Sequence, residues 1–218
     1  MKLLLTSSGI TNAAIEKALI GLLNKPVSDC HITFVPTAAN VEDGDKGWLV
    51  DDMNNIKKMG FSTFDIMDIS AVEKTTWLPS VEKADVLAFG GGNVSHLLRW
   101  MHTSGLSTLL PELVKTKVYV GISAGSMVTA KTVSLSTAQI LYYEKNDSTN
   151  DIPGLGFVDF EIRPHLNSEW FPKVTTENLE QMTKGITHPV YAIDDDTAVQ
   201  VVDEEITVVS TGAWKKFN

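Results

Sequence analysis

The sequence has a single cysteine, Cys30, among 218 residues. That excludes an internal disulfide and suits a reducing cytoplasm, the expected location. Cations are scarce: 18 Lys and Arg stand against 27 Asp and Glu, a net charge of −9. Such a chain is repelled by phosphate backbones and anionic lipid, so neither nucleic acid nor membrane is expected as a partner. No apolar run approaches the ~18 residues that crossing a bilayer requires. The run Leu3-Leu4-Leu5 stops at Thr6-Ser7-Ser8-Gly9. It is too short for the apolar region of a signal peptide and reads as a first strand. The histidines at 31, 96, 102, 165 and 188 are scattered, with no Cys/His cluster and no His-Glu-x-x-His. No metal or other cofactor is expected.

What is present is apolar residue in quantity, 43% of the chain, enough for a sizeable core. Short β-branched and aliphatic runs alternate with helical periodicity. Strands are expected at Lys2 to Thr6, His31 to Val35, Phe61 to Ile69, Asp85 to Phe89 and Val118 to Val120. Between them lie a helix capped by Thr11 or Asn12, another over Trp48 to Met59, and two over Ser95 to Met101 and Ser107 to Val114. This rhythm signals parallel βαβ units and hence an α/β, doubly wound, mostly parallel sheet. After about residue 132 the rhythm changes to short strands near 160–162, 190–193, 198–202 and 206–210. These are expected as antiparallel additions to the one sheet in the C-terminal third. No linker or repeat is visible, so residues 1–218 are taken as one domain, acting as a monomer or homodimer.

The stretch with the most chemistry is Lys117 to Val128, KVYVGISAGSMV. A strand runs into Gly121-Ile122-Ser123-Ala124-Gly125, the Gly-x-Ser-x-Gly pattern of a nucleophile elbow. A sharp strand-to-helix turn needs neighbours without side chains, which Gly121 and Gly125 supply. Ser123 Oγ is then lifted to the helix N-terminus, where free N–H groups favour developing negative charge, Ala124 N–H among them. Ligands of open α/β sheets bind beyond the carboxyl ends of the strands. Gly90-Gly91-Gly92-Asn93 sits there too, after the fourth strand. Gly91 or Gly92 can supply a second oxyanion donor, and no Lys-Ser/Thr follows to make a phosphate loop. Asn93 is a candidate substrate contact.

A serine nucleophile needs a base, and Arg163-Pro164-His165 after an apolar strand is the best source. Arg163 is a candidate grip for a substrate carboxylate, because a guanidinium can hold one through two hydrogen bonds. The alternative is a pair between Arg163 and Glu161. For the acid that orients the imidazole, Glu144, Asp147 and the run Asp194-Asp195-Asp196 are the sources.

Together, Gly-Gly-Gly-Asn, Gly-x-Ser-Ala-Gly, Pro-His and Ala-Ile-Asp-Asp-Asp-Thr-Ala make the chain resemble the aspartyl dipeptidase (peptidase E) and cyanophycinase family of serine peptidases. The resemblance implies a sheet similar to that of class I glutamine amidotransferases. It implies Ser123 as nucleophile, His165 as base, and Gly91 with Ala124 as oxyanion donors. It implies hydrolysis of a small peptide beside an aspartyl residue, without metal. The dipeptidase acid has no counterpart in Leu135-Ser136-Thr137-Ala138-Gln139; the cyanophycinase-like position matches Asp195. An α/β-hydrolase esterase would instead draw on Asp159 or Glu161 with His188. A third reading is a binding protein that has lost turnover.

Overall fold

The computed structural model describes residues 1–218, and the order of its elements follows the alternation in the sequence. The first half contains β1 (Lys2–Thr6), α1 (Ala13–Leu22), β2 (His31–Val35), α2 (Gly47–Lys58), β3 (Thr63–Ile66), α3 (Lys74–Lys83), β4 (Val86–Phe89), α4 (Val94–Thr103) and α5 (Leu106–Leu113). Then come β5 (Val118–Ile122), α6 (Ala124–Met127), β6 (Thr132–Ser134), α7 (Leu135–Tyr142), β7 (Asp151–Pro153), β8 (Glu161–Arg163) and α8 (Thr176–Met182). Last are β9 (Val190–Ile193), β10 (Thr197–Val202), β11 (Glu205–Ser210) and β12 (Trp214–Phe217).

Seven strands form the central sheet in the order β11-β10-β1-β5-β4-β2-β3. The five strands from β1 to β3 in that order are parallel, and β10 and β11 add antiparallel at one edge. Both faces of β1, β5, β4 and β2 are buried, which is why these strands read as largely apolar runs, while the edge strand β3 is only partly covered. Leu3, Leu5, Leu87, Phe89 and Tyr119 pack to one side with Trp77 of α3, Leu97 of α4 and Leu106 of α5. Leu4, Ile32, Phe34, Val86 and Val120 pack to the other with Ile15 and Leu19 of α1 and Ile56 of α2. Helices thus cover both faces, and the carboxyl ends of β1, β4 and β5 lie side by side.

The C-terminal third departs from expectation. Only β10 and β11 join the central sheet; β12, β9 and β8 form their own three-stranded sheet, and β8 runs parallel to β9. The cause lies in β9, which is buried on both faces. Tyr191 and Ile193 enter the large core, while Val190 and Ala192 meet Leu179 of α8 in a separate small cluster. The sequence also hides α3, interrupted by Pro79, α7, and the short edge strand β12 with its Lys215 and Lys216. No helix is long and apolar enough to cross a membrane.

The elbow packs against β4 and β5 at backbone contact. A Cβ on Gly125 would stand 2.0 Å from the carbonyl oxygen of Phe89, and one on Gly121 would stand 2.6 Å from that of Gly125. Neither obstacle is a flexible side chain, so the backbone itself would have to move. Gly125→Ala is therefore expected to destabilise the fold by at least ~2 kcal/mol, measured by urea unfolding; a loss below ~0.5 kcal/mol would mean that α6 is not seated this closely.

Candidate active site

Ser123 caps the four-residue α6 with φ 49° and ψ −107°, a left-handed backbone that non-glycine residues seldom adopt. The turn is held there from several directions. The Ser123 N–H donates to Thr6 O at 3.1 Å, and the Ser126 hydroxyl donates to the same oxygen at 2.7 Å. The buried Tyr119 hydroxyl donates to Gly125 O at 2.7 Å. The result presents Ser123 Oγ beyond the end of β5.

His165 meets it there. Its Nε2 lies 2.9 Å from Ser123 Oγ, and its Nδ1 lies 2.6 Å from Asp195 Oδ1. A carboxylate only accepts, so Nδ1 carries the proton and Nε2 is left free to accept from the serine hydroxyl. His165 also has a positive φ, 64°. Its ring is stacked on Phe171 with centroids 4.8 Å apart and meets the edge of Tyr142 at 6.4 Å. Burial by itself raises the Asp195 carboxyl. Hydrogen bonds from His165 and Ser7, with the charge on His165, outweigh burial and hold it below the ordinary carboxylate value. Such a set can accept a proton from the hydroxyl and stabilise the cation that results.

The glycine run is built, not slack. Gly90 N–H donates to Val35 O at 3.0 Å and Asn93 N–H to Ala38 O at 2.9 Å. A Cβ on Gly92 would stand 2.3 Å from Ala38 O. Pinned on both sides, the turn brings Gly91 against Ser123: a Cβ there would be 3.3 Å from Ser123 Cβ. The N–H groups of Gly91 and Ala124 donate to no backbone carbonyl, which leaves both for an oxygen beside Ser123.

A family model for peptidase family S51 matches residues 3–209. The chain belongs to peptidase family S51. An uncharacterized peptidase of Pasteurella multocida is 29% identical over 182 residues, covering 82% of this chain and 84% of that protein. An uncharacterized peptidase of Listeria innocua is 28% identical over 177 residues, covering 80% of this chain and 82% of the other. A peptidase E of Nostoc is 27% identical over 147 residues, or 59% of this chain and 54% of its own. Among solved structures, a candidate peptidase E protein of Listeria monocytogenes superposes with a TM-score of 0.80 at 22% identity, covering 97% of this chain and 98% of that one. That last likeness speaks for the fold alone.

In this S51 chain, Ser123, His165, Asp195, Gly91 and Ala124 converge at one place, and three other expected residues do not. Glu144 is buried away from His165: its carboxylate accepts from Val94 N–H at 3.0 Å and from Asn146 Nδ2 at 3.4 Å, at the N-terminus of α4. It anchors the helix that follows the glycine turn and does not orient the imidazole. Asn93 turns its side-chain oxygen inward to accept from His96 N–H at 2.9 Å and Ser95 Oγ at 2.8 Å. Through that oxygen it caps α4. Arg163 is buried and ion-paired with Glu161, the alternative left open by the sequence. Glu161 also binds His188 Nε2 at 2.7 Å, so His188 is engaged there while His165 is the histidine at Ser123. No group of three or more His, Cys, Asp or Glu side chains is arranged to hold a metal ion.

Ser7 is the residue that sequence reasoning missed. Its hydroxyl accepts from His165 N–H at 2.7 Å and donates to Asp195 Oδ1 at 2.7 Å. It ties the end of β1 to both residues and supports the unusual backbone of His165. Only its place at the carboxyl end of the first strand could have pointed to it. Ser7→Ala removes a bond to a charged group, worth ~1.5–3 kcal/mol. We expect kcat on a hydrolysed peptide to fall about ten- to a hundredfold with KM little changed, and Ser7→Thr to recover part of it. An unaltered kcat in Ser7→Ala would remove Ser7 from the positioning of the pair.

Glu144 yields a test on stability. Burial, opposed by the bonds from Val94 and Asn146, pushes its carboxyl up from the ordinary 4.5 to about 7. The folded chain thus holds this proton where the unfolded chain has lost it. Its contribution to stability is full below the ordinary value and falls as pH rises to about 7. Glu144→Gln should be stabilised relative to wild type as pH rises through that window, read by denaturant unfolding at several pH values. A wild-type-to-variant difference that does not change with pH would mean that Glu144 is not protonated in the fold.

Proposed function

We propose that this S51 chain is a serine peptidase that cleaves short peptides with Ser123 as nucleophile and His165 as its base. The observation that carries the reading is the aligned series Ser123 Oγ, His165 Nε2, His165 Nδ1 and Asp195 Oδ1, at 2.9 Å and 2.6 Å. Ser123 Oγ attacks the scissile carbonyl carbon as its proton passes to Nε2. The carbonyl oxygen gains the negative charge and is met by the Gly91 and Ala124 N–H groups. Asp195 stabilises the imidazolium and keeps the ring in the tautomer the reaction needs. The C–N bond then breaks, the imidazolium gives its proton to the leaving amine, and a peptide acyl group remains on Ser123. Water, deprotonated by the same nitrogen, attacks this ester and releases the acid and the free serine.

The presence of a carboxylate at Nδ1 favours turnover over a binding protein that has lost it, since Asp195 fills the role for which residues 135–139 offer no acid. An aspartyl residue beside the scissile bond, implied by the resemblance, would be held by something other than Arg163, whose charge is committed to Glu161.

The test joins labelling and turnover. A fluorophosphonate should modify wild type at Ser123 and leave Ser123→Ala unmodified. In a dipeptide and tripeptide screen with Asp, Asn or Ala before the cleaved bond, Ser123→Ala and His165→Ala should each lose on the order of 10⁴-fold or more in kcat. His188→Ala should stay within about threefold of wild type. Retention of more than about a tenth of the activity by Ser123→Ala, or a larger loss in His188→Ala than in His165→Ala, would refute the assignment.

A further inference from the structure

Helix α2 crosses above the candidate site, and two of its residues one turn apart, Trp48 and Asp52, face it together. The Trp48 ring edge lies 3.6 Å from where a Cβ on Gly91 would stand, next to Ser123, and Trp48 is 40% exposed. Asp52 lies further along the same side. Its Oδ1 stands 2.6 Å from the Cβ position of Gly9, and the Ile122 side chain stands 3.3 Å from that same position. Ile122 directly precedes the nucleophile. Gly9 closes the loop whose Ser7 holds His165 and Asp195.

Asp52 is only 6% exposed. Its side chain makes no hydrogen bond and no ion pair. Burial, followed by the negative charges of Asp51 and Asp195, pushes its carboxyl up to about 8. An unpaired carboxyl in such a place costs stability unless a partner is supplied. The buried cation of the second sheet, Arg163, is taken by Glu161. What the surroundings lack is a positive charge, and an indole one turn away on the same helix is a group that attracts one.

We propose that Asp52 and Trp48 form a subsite for an ammonium group of the substrate, beside Ser123 and His165. The proposal rests on the peptidase reading for what enters the site, and it adds the group that is recognised. Two peptide groups carry this chemistry, the α-ammonium of a free N-terminus and the side chain of lysine.

The experiment reads binding, so it does not depend on turnover. Calorimetric titrations use the Ser123→Ala protein with and without Asp52→Asn or Trp48→Leu, each checked for cooperative thermal unfolding. Four peptides are compared: Lys-Ala, norleucyl-Ala, and the N-acetylated form of each. Norleucyl-Ala against its acetylated form reports the α-ammonium, and the two acetylated peptides against each other report the lysine side chain. At least one ammonium is expected to tighten Kd by about tenfold or more. Asp52→Asn should bring that ratio close to one, and Trp48→Leu should reduce it. Equal binding of charged and neutral members, a ratio that survives Asp52→Asn, or no binding of any peptide would overturn the subsite. Failure of the fluorophosphonate to label Ser123 would sink the peptidase mechanism and leave a measured ammonium ratio standing, so the two ideas fall separately.

Discussion

A single backbone constraint governs the site: Ser123 is held at a positive φ in the turn from β5 to α6. Such a conformation costs ~1–3 kcal/mol and persists only where its surroundings over-determine it. Thr6 does most of that. Its carbonyl accepts from Ser123 N–H and Ser126 Oγ, while its own hydroxyl donates to Gly121 O at 2.8 Å and accepts from Gly9 N–H at 3.0 Å. One residue at the end of β1 therefore fixes the elbow after β5 and the loop that carries Ser7. The parallel register that sets Thr6 beside Ile122 is the precondition. Topology, local strain and the place of the hydroxyl are one arrangement, and a shift of β1 by a residue would undo all three.

The same logic explains what the sequence made legible. The elbow and the glycine turn carry their requirements locally: the chain needs residues without Cβ where backbones touch, and glycines stand there. Four of the five parallel strands announced themselves as apolar runs because both faces are covered, and the edge strand β3 as an alternating one. His165 was visible through its place after an apolar strand and before the site edge. Ser7 was not, because nothing in Thr6-Ser7-Ser8 distinguishes it. Its meaning comes from partners 158 and 188 residues away. Arg163, for which the pair with Glu161 had been left open, and Asn93 are placed by a related rule. An arginine two residues from Glu161 on a strand, and an asparagine before an apolar helical stretch, have local partners at hand, and those local bonds won. β12 and β8 lay beyond reach because the second sheet depends on pairings that periodicity in short strands cannot choose between.

The aspartate run shows how far spacing can and cannot separate neighbours. Asp194 turns to Thr197 Oγ1 at 2.6 Å and to the Ala213 N–H, closing the turn between β9 and β10. Asp196 receives Asn12 Nδ2 through its carbonyl at 3.1 Å, which joins this turn to the start of α1. Asp195 alone points at His165, and Thr11 Oγ1 steadies its backbone carbonyl at 2.9 Å. Three identical residues thus have three tasks, two carried by side chains and one by a backbone carbonyl.

Burial and donors together decide the charge of each carboxyl near the site. Asp195 has two strong ones, the imidazole N–H and the Ser7 hydroxyl, and its carboxyl lies below the ordinary value although burial opposes this. Glu144 is more deeply buried, and its two longer bonds do not offset the loss of water, so it rises to about 7. Asp52 has none and rises to about 8. The order follows from one balance between desolvation and hydrogen bonding. It has a chemical consequence. The acid beside His165 is the one given donors by the protein itself. The acid left without donors, Asp52, is carried by α2 itself, and the protein supplies no partner for it.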